Sequence, residues 1–241
     1  MTCLNCGKTL TDKQIKKKNI FCSKGCATSY RQVAHDPNCK ETLPKETLWY
    51  ICGLIVSDGN ISENKINISS CDKELIDKIY PLFSDTSKRK IYVYTSSNIN
   101  HSISYSILNT NLDFLKFLNS IGVFEKKSKT ITNVSIPKEY ESQFVRGVFD
   151  GDGSVYISSM YKDTKYIGVS ITSGSKIFLE QIQIILNNNN IDCNIVKDCR
   201  KDCFYLKIYK KEHIKQFFNY IYNNSTIFLQ RKYQFFCNEI V

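Results

Sequence analysis

Two aspartates, Asp58 and Asp152, stand in matching surroundings. Asp58 ends the run "ICGLIVSDG" at residues 51–59, and Asp152 ends "VRGVFDGDG" at residues 145–153. They lie 94 residues apart, and so do Gly53 and Gly147. One Asp-Gly pair is an ordinary turn signal. The same pair twice, each after a glycine-centred apolar run, points to two carboxylates delivered by one repeated device. Two carboxylates beside two carbonyl-rich helix ends form an all-oxygen donor set, which suits a hard divalent cation such as Mg2+.

A second cluster lies at the N-terminus. Cys3 and Cys6 form a C-x2-C pair, and Cys22 and Cys26 form a C-x3-C pair 15 residues further on. Two close pairs of thiolates match one tetrahedral Zn2+. The intervening "GKTLTDKQIKKKNIF" is too polar to form a core, so a metal would substitute for one. Ser23 suits a helix N-cap, with Ala27 to Gln32 continuing helically. A knuckle followed by a cysteine pair at a helix start resembles a treble-clef zinc finger. Cys39 and His35 are alternative ligands, and four unrelated cysteines are the competing reading. With Lys16–Lys18 the unit suits a DNA-docking accessory, with a purely structural cap as the alternative.

Composition limits the partners. The 241 residues are 42% hydrophobic and 23% charged, ordinary globular values, with a net charge of +10. Residues 1–40 hold eight Lys/Arg against two acids. That balance points to a polyanion, most simply nucleic acid, over a merely solvated basic surface. No apolar run approaches a membrane span, so no membrane partner is expected. The opening residues do not read as a signal peptide. Eleven cysteines, an odd number, fit a reducing compartment. The expected location is therefore a cytoplasm or an organelle matrix, and not a secreted one.

The elements that must place the aspartates come in two copies. "LPKETLWYICGLIVSDGNI" starts at Leu43 and "IPKEYESQFVRGVFDGDGSV" at Ile136. Pro44 and Pro137 suit a first helical turn, and the glutamates after them suit its positive end. Gly53 and Gly147 each cost about 1 kcal/mol relative to alanine inside a helix. A close helix–helix approach would offset that, so the two helices are expected to pair about a pseudo-twofold axis. Gly59 and Gly153 are expected to end the helices in left-handed conformation. Asp58 and Asp152 then sit at negative helix ends, unfavourable by roughly 0.3–1 kcal/mol. Downstream, alternating strands and amphipathic helices give each half the order helix, strand, strand, helix, strand, strand, helix. The expected class is α+β, with two αββαββα halves that carry antiparallel four-stranded sheets. The expected domains are a finger at 1–33, a linker at 34–43, and halves at 44–135 and 136–241.

The two aspartate runs resemble the paired signature motifs of the LAGLIDADG homing endonucleases, in their single-chain form. The resemblance covers about residues 43–240. It implies that the motif helices form the domain interface and that the sheets form a DNA-binding saddle. It implies that Asp58 and Asp152 hold two or three Mg2+ ions, helped by the backbone carbonyls of Ser57 and Gly151. The implied reaction is site-specific hydrolysis of both strands of double-stranded DNA by a monomer. The family often places a lysine after the last helix of each half. "EKKSK" and "LQRKY" fall there, making Lys127 and Lys232 the catalytic candidates, with Lys126, Lys129 and Arg231 competing. The family's other motif acid is Asp150 in the second copy but Val56 in the first, which implies unequal half-sites. The alternatives are an RNA maturase, with intron RNA as partner, or a non-cleaving DNA-binding protein on the same scaffold. A zinc-stabilised interaction protein is a more distant one.

Strand alternation suggests a reading face. Lys65, Asn67 and Ser69 oppose Ile66 and Ile68, while Lys90, Tyr92 and Tyr94 oppose Ile91 and Val93. In the second half Tyr166, Ser170 and Thr172 oppose Ile167, Val169 and Ile171. Tyr205 and Lys207 oppose Phe204, Leu206 and Ile208. Such a face suits a β-ribbon in the major groove, with an ordinary solvated sheet as the alternative. His101 and His213 lack partner spacing and read as structural, and Asn187–Asn190 reads as a loop.

Overall fold

One order of elements occurs twice. The first copy runs α1 (Lys45–Ser57), β1 (Gly59–Ser62), β2 (Lys65–Ser70), α2 (Lys73–Phe83), β3 (Tyr92–Thr95), β4 (Ile103–Asn109), α3 (Leu112–Ser120) and a short α4 (Lys127–Thr130). The second runs α5 (Glu141–Asp152), β5 (Gly153–Tyr161), β6 (Thr164–Ser173), α6 (Lys176–Asn188), β7 (Asn194–Lys197), β8 (Phe204–Ile208), α7 (Lys211–Tyr222) and α8 (Gln230–Glu239). Each copy holds a four-stranded antiparallel sheet, ordered β1-β2-β4-β3 and β5-β6-β8-β7. The class is therefore α+β, as expected. Helices α4 and α8 are additions to the expected order.

This computed structural model describes residues 9–11, 14–15, 22–23, 43–83, 91–95, 103–162 and 164–240. The chain divides into two compact units, residues 1–39 and 40–241. Cys3, Cys6, Cys26, His35 and Cys39 lie outside the described residues, as do the expected helix at 27–32, Lys90 and His101. Cys22 is half-buried, and its carbonyl accepts a hydrogen bond from Gln14 Nε2 at 2.8 Å.

Helices α1 and α5 form the centre of the larger unit. Residues Leu48 to Val56 of α1 and Phe144 to Asp150 of α5 are all buried, as befits helices covered on every side. They cross at their glycines. A Cβ on Gly53 would collide with the Phe144 carbonyl and lie 2.9 Å from Val148 N. A Cβ on Gly147 would collide with the Tyr50 carbonyl and lie 2.9 Å from Leu54 N. Each glycine is 3.0 Å from the other's Cα by the same measure, so the contact is reciprocal. The helix starts differ slightly from expectation. Pro44 is the N-cap of α1, whereas Pro137 caps a 3-10 turn (Lys138–Tyr140) that leads into α5.

The expected left-handed terminators are a correction. Among described glycines only Gly122 has positive φ, and Gly153 is extended at φ −85°, ψ 158°. Gly59 and Gly153 open β1 and β5 directly. They are needed for space: a Cβ on Gly59 would lie 2.6 Å from Ile55 Cα, and one on Gly153 would strike the Phe149 ring and carbonyl. The chain turns from helix to strand so tightly that the preceding turn occupies the Cβ volume. Val93 is another correction. It is 58% exposed, because β3 is an edge strand whose four residues all lie outside the buried layer. At the other end of α6, Asn187 and Asn188 are helical, and the turn begins at Asn189.

Candidate active site and sheet face

The helix pair carries the two aspartates to one place. Asp58 is the C-cap of α1, its N–H donating to Leu54 O at 2.9 Å, and Asp152 is the last residue of α5. Ser57 of one motif faces Gly151 of the other. A Cβ on Gly151 would strike the Ser57 hydroxyl and lie 3.3 Å from Asp58 Cγ. Glycine at 151 thus lets the two helix ends meet. Ser57 turns its hydroxyl back along α1, donating to Gly53 O (3.1 Å) and Leu54 O (3.2 Å).

Each half adds one lysine. Lys127, on α4, is 5% exposed and donates to Gly59 O at 2.5 Å. Lys232, on α8, is 3% exposed and donates to Phe149 O (2.6 Å), Asp150 O (2.8 Å) and, more weakly, Gly151 O (3.5 Å). It satisfies the carbonyls at the C-terminal end of α5, where a cation is favoured. The competing residues point elsewhere. Lys126 is an exposed left-handed residue, Lys129 pairs with Asp202 at 2.8 Å, and Arg231 pairs with Asp72 at 3.1 Å.

The four groups perturb one another. Both aspartates open to solvent on one side while protein crowds their other sides. That lost hydration raises the Asp152 carboxyl to about 6, and the neighbouring Asp58 adds to the rise. Burial likewise raises Asp58, against the pull of Lys232 and Lys127. Burial lowers Lys127, against Asp152 and Asp58, and lowers Lys232 to about 8. A divalent cation fits here on chemical grounds. The donors are carboxylates and helix-end carbonyls, and two partly dehydrated anions already repel one another.

Asp150 does not join this group. It is 2% exposed and accepts from Tyr50 Oη (2.9 Å), Tyr222 Oη (3.2 Å) and Leu229 N (2.8 Å). Arg146 lies beside it, stacked 5.0 Å over the Tyr50 ring and donating from Nη1 to Ile221 O at 2.9 Å. Only the repeat alignment hints at this network: one step of 94 residues back, Arg146, Asp150 and Phe144 become Cys52, Val56 and Tyr50.

The sheets carry most of the expected face. Register puts Lys65, Asn67, Ser69, Tyr92 and Tyr94 on the side away from Ile66 and Ile68, joined by Asn60 and Ser106. Ser106 hydrogen-bonds Asn67 and accepts from Ser69 at 3.1 Å. In the second sheet Tyr166, Ser170, Thr172, Tyr205 and Lys207 share a side with Ser154, Tyr156 and Asn194. Two of the expected residues are less available than alternation implies. Ser170 is only 6% exposed and is hydrogen-bonded to Tyr156, which also bonds Tyr209. Tyr205 donates its hydroxyl to Asp198 at 2.9 Å. Tyr156, which lies against Gly168, and Tyr209 were not among the expected residues, although period two carried on from Tyr205 and Lys207 reaches Tyr209. His213 contacts Asn190 O (3.1 Å) and Asp192 (3.3 Å).

These features define a class. The family model described as LAGLIDADG-like domain matches residues 45–122 and 139–222, both copies of the repeat, and the chain belongs to that family. Solved structures share the fold. The homing endonuclease I-WcaI bound to its DNA recognition sequence superimposes with a TM-score of 0.55 at 16% identity, covering 83% of this chain and 88% of that one. The meganuclease I-AabMI bound to uncleaved DNA gives 0.54 at 13% identity, covering 79% and 88%. The N-terminal LAGLIDADG domain of DUF199/WhiA gives 0.52 at 16%, covering 87% and 95%. In sequence the chain is similar to parts of two Methanocaldococcus jannaschii proteins. One is reverse gyrase, 26% identical over 151 residues, which are 61% of this chain and 8% of that protein. The other is DNA-directed RNA polymerase subunit Rpo1C, 29% identical over 143 residues, 59% and 16% respectively. The chain thus matches less than a fifth of the length of either relative.

Proposed function

We propose that the protein is a site-specific endonuclease that hydrolyses phosphodiesters in both strands of duplex DNA with divalent metal. The observation that carries this reading is the pair Asp58 and Asp152, delivered by reciprocal helices, with a buried lysine beside each helix end. Its DNA-bound relatives in fold and its net charge of +10 support a DNA partner. The fold is also that of a WhiA domain, so the site, not the fold, supports cleavage.

Asp58, Asp152 and the carbonyls of Ser57 and Gly151 would hold Mg2+, which when bound supplies positive charge to the scissile phosphate and its attacking and leaving oxygens. Asp58 and Asp152 would fix where that charge sits, at the paired helix ends. Lys127 and Lys232 each keep an ammonium at a helix-to-strand junction, where it stabilises developing negative charge on one strand. The two sheets hold the duplex across the site, Asn67, Ser69 and Lys65 on one side, Tyr156, Tyr166 and Lys207 on the other. One chain supplies both halves, so a monomer suffices.

Selection of cleaved sites from a random duplex library with Mg2+ tests the reading. A single enriched site cut on both strands is the expected result. Duplex binding without cleavage, or stimulation of intron splicing instead, would favour a non-cleaving binder or a maturase. For the N-terminal unit we propose one Zn2+ held by Cys3, Cys6, Cys22 and Cys26. Metal analysis should find about one zinc per chain, lost in Cys22→Ser.

A further inference from the structure

The two lysines are held in different ways. Lys127 opens α4, which follows the left-handed Lys126 and has no side-chain cap. Its ammonium has one carbonyl partner, Gly59 O. Lys232 lies in the first turn of α8, three residues after the N-cap Leu229. The N–H of Leu229 donates to the carboxylate of Asp150, which is part of the motif helix itself. Lys232 then reaches back to the carbonyls of Phe149 and Asp150. Asp150 therefore contacts α8 through its side chain and receives Lys232 on its backbone. Tyr50 and Tyr222 fix the carboxylate from α1 and α7. The corresponding place in the first half is Val56, whose buried side chain can accept no hydrogen bond.

The geometry points to Asp150 as a positioning residue: it clamps α8 to the motif helix and so sets Lys232 at its end of the site, with no equivalent for Lys127. This rests on the nuclease reading for its catalytic consequence. There, the strand served by Lys232 meets a better fixed cation than the strand served by Lys127, and it is cut first.

Two readouts on the full chain test this. Sulfo-NHS-acetate labelling followed by peptide mass spectrometry reports lysine protection without any need for activity. In Asp150→Asn, labelling of Lys232 should rise several-fold while Lys127 stays protected. Val56→Ala, a perturbation at the mirrored position, should leave Lys232 protected. On a library-selected duplex, Asp150→Asn should slow one strand by about 10–100-fold and leave the other near its original rate, accumulating nicked product. Lys232→Met should slow the same strand, and the double variant should be no worse than Lys232→Met. Leu229→Pro, which removes the N–H that Asp150 accepts together with a buried leucine side chain and suits the local φ of −79°, should expose Lys232 as Asp150→Asn does, whereas Leu229→Ala, which keeps the N–H, should leave Lys232 protected. Unchanged Lys232 protection, equal slowing of both strands, or additive losses would overturn the clamp. A wild-type protein that cuts no duplex would instead overturn the nuclease reading, and the labelling would still decide the clamp.

Discussion

The two halves share a backbone plan and differ in what lies beneath their motif helices. In the second half, Arg146, Asp150, Tyr50 and Tyr222 form a buried polar network beside α8. Arg146 Nε is the one buried side-chain nitrogen or oxygen without a hydrogen bond among the described residues. The mirrored positions are Cys52 and Val56 in the first motif helix, with Phe144 of α5 in the place of Tyr50, all buried. The halves also differ at their tips. β5 and β6 run for nine and ten residues, ending in the exposed Met160 and Tyr161, whereas β1 and β2 run for four and six around a Glu63-Asn64 turn. A duplicated fold has kept its symmetric contact, the glycine crossing, and diverged in the packing under each motif helix and in the length of its strand tips.

The largest effect should separate the two buried environments. Asp150→Val leaves the Tyr50 and Tyr222 hydroxyls and the Leu229 N–H without their buried acceptor and should cost about 3–5 kcal/mol in urea unfolding. Val56→Ala removes only methyl groups and should cost roughly 1.5 kcal/mol. Equal losses would break the comparison. The glycine crossing should show the opposite pattern. Gly53→Ala and Gly147→Ala should each destabilise by about 1–3 kcal/mol, and by nearly the same amount, because each Cβ meets backbone of the other helix.

A smaller effect concerns the shared site and pH. The fold raises Asp152 from its ordinary 3.8 to about 6. A raised carboxyl favours the protonated form, so its stabilising contribution is complete below 3.8 and is lost as pH climbs through about 6. At higher pH the metal-free protein carries two repelling carboxylates, and Mg2+ should restore stability. The Mg2+-induced rise in Tm should thus be clear near pH 8 and small near pH 5. Asp152→Asn should raise the Tm of metal-free protein at the higher pH and remove the Mg2+ response. The smallest effects belong to the exposed ion pairs that cross between the halves. Lys129→Ala and Arg231→Ala, which break the pairs with Asp202 and Asp72, should each cost about 0–1 kcal/mol.

Much of this was legible in the sequence because it is repeated. The 94-residue step exposed the helix pair, the four strands of each half and the two aspartates, since apolar period and Asp-Gly spacing survive duplication. What broke the repeat was not legible. Helix α8 has no counterpart in the first half beyond the four residues of α4, so the pattern gave no reason to expect it. Tyr50 pairs with Asp150 across the helix crossing, a contact between positions 100 residues apart that no local spacing encodes. Gly59 and Gly153 carried the right residue type for a different reason, lack of volume and not a left-handed turn. Ser170 obeyed strand alternation but was covered by Tyr156, and alternation says which side a residue takes, not what lies above it.

Cleavage of a plasmid bearing the library-selected site tests the central claim most directly. With Mg2+ the wild-type protein should convert supercoiled plasmid to linear, and EDTA should stop it. Asp58→Asn and Asp152→Asn should each yield no linear product while binding the same duplex in a gel shift. Linear product at wild-type rates from both variants would contradict the account.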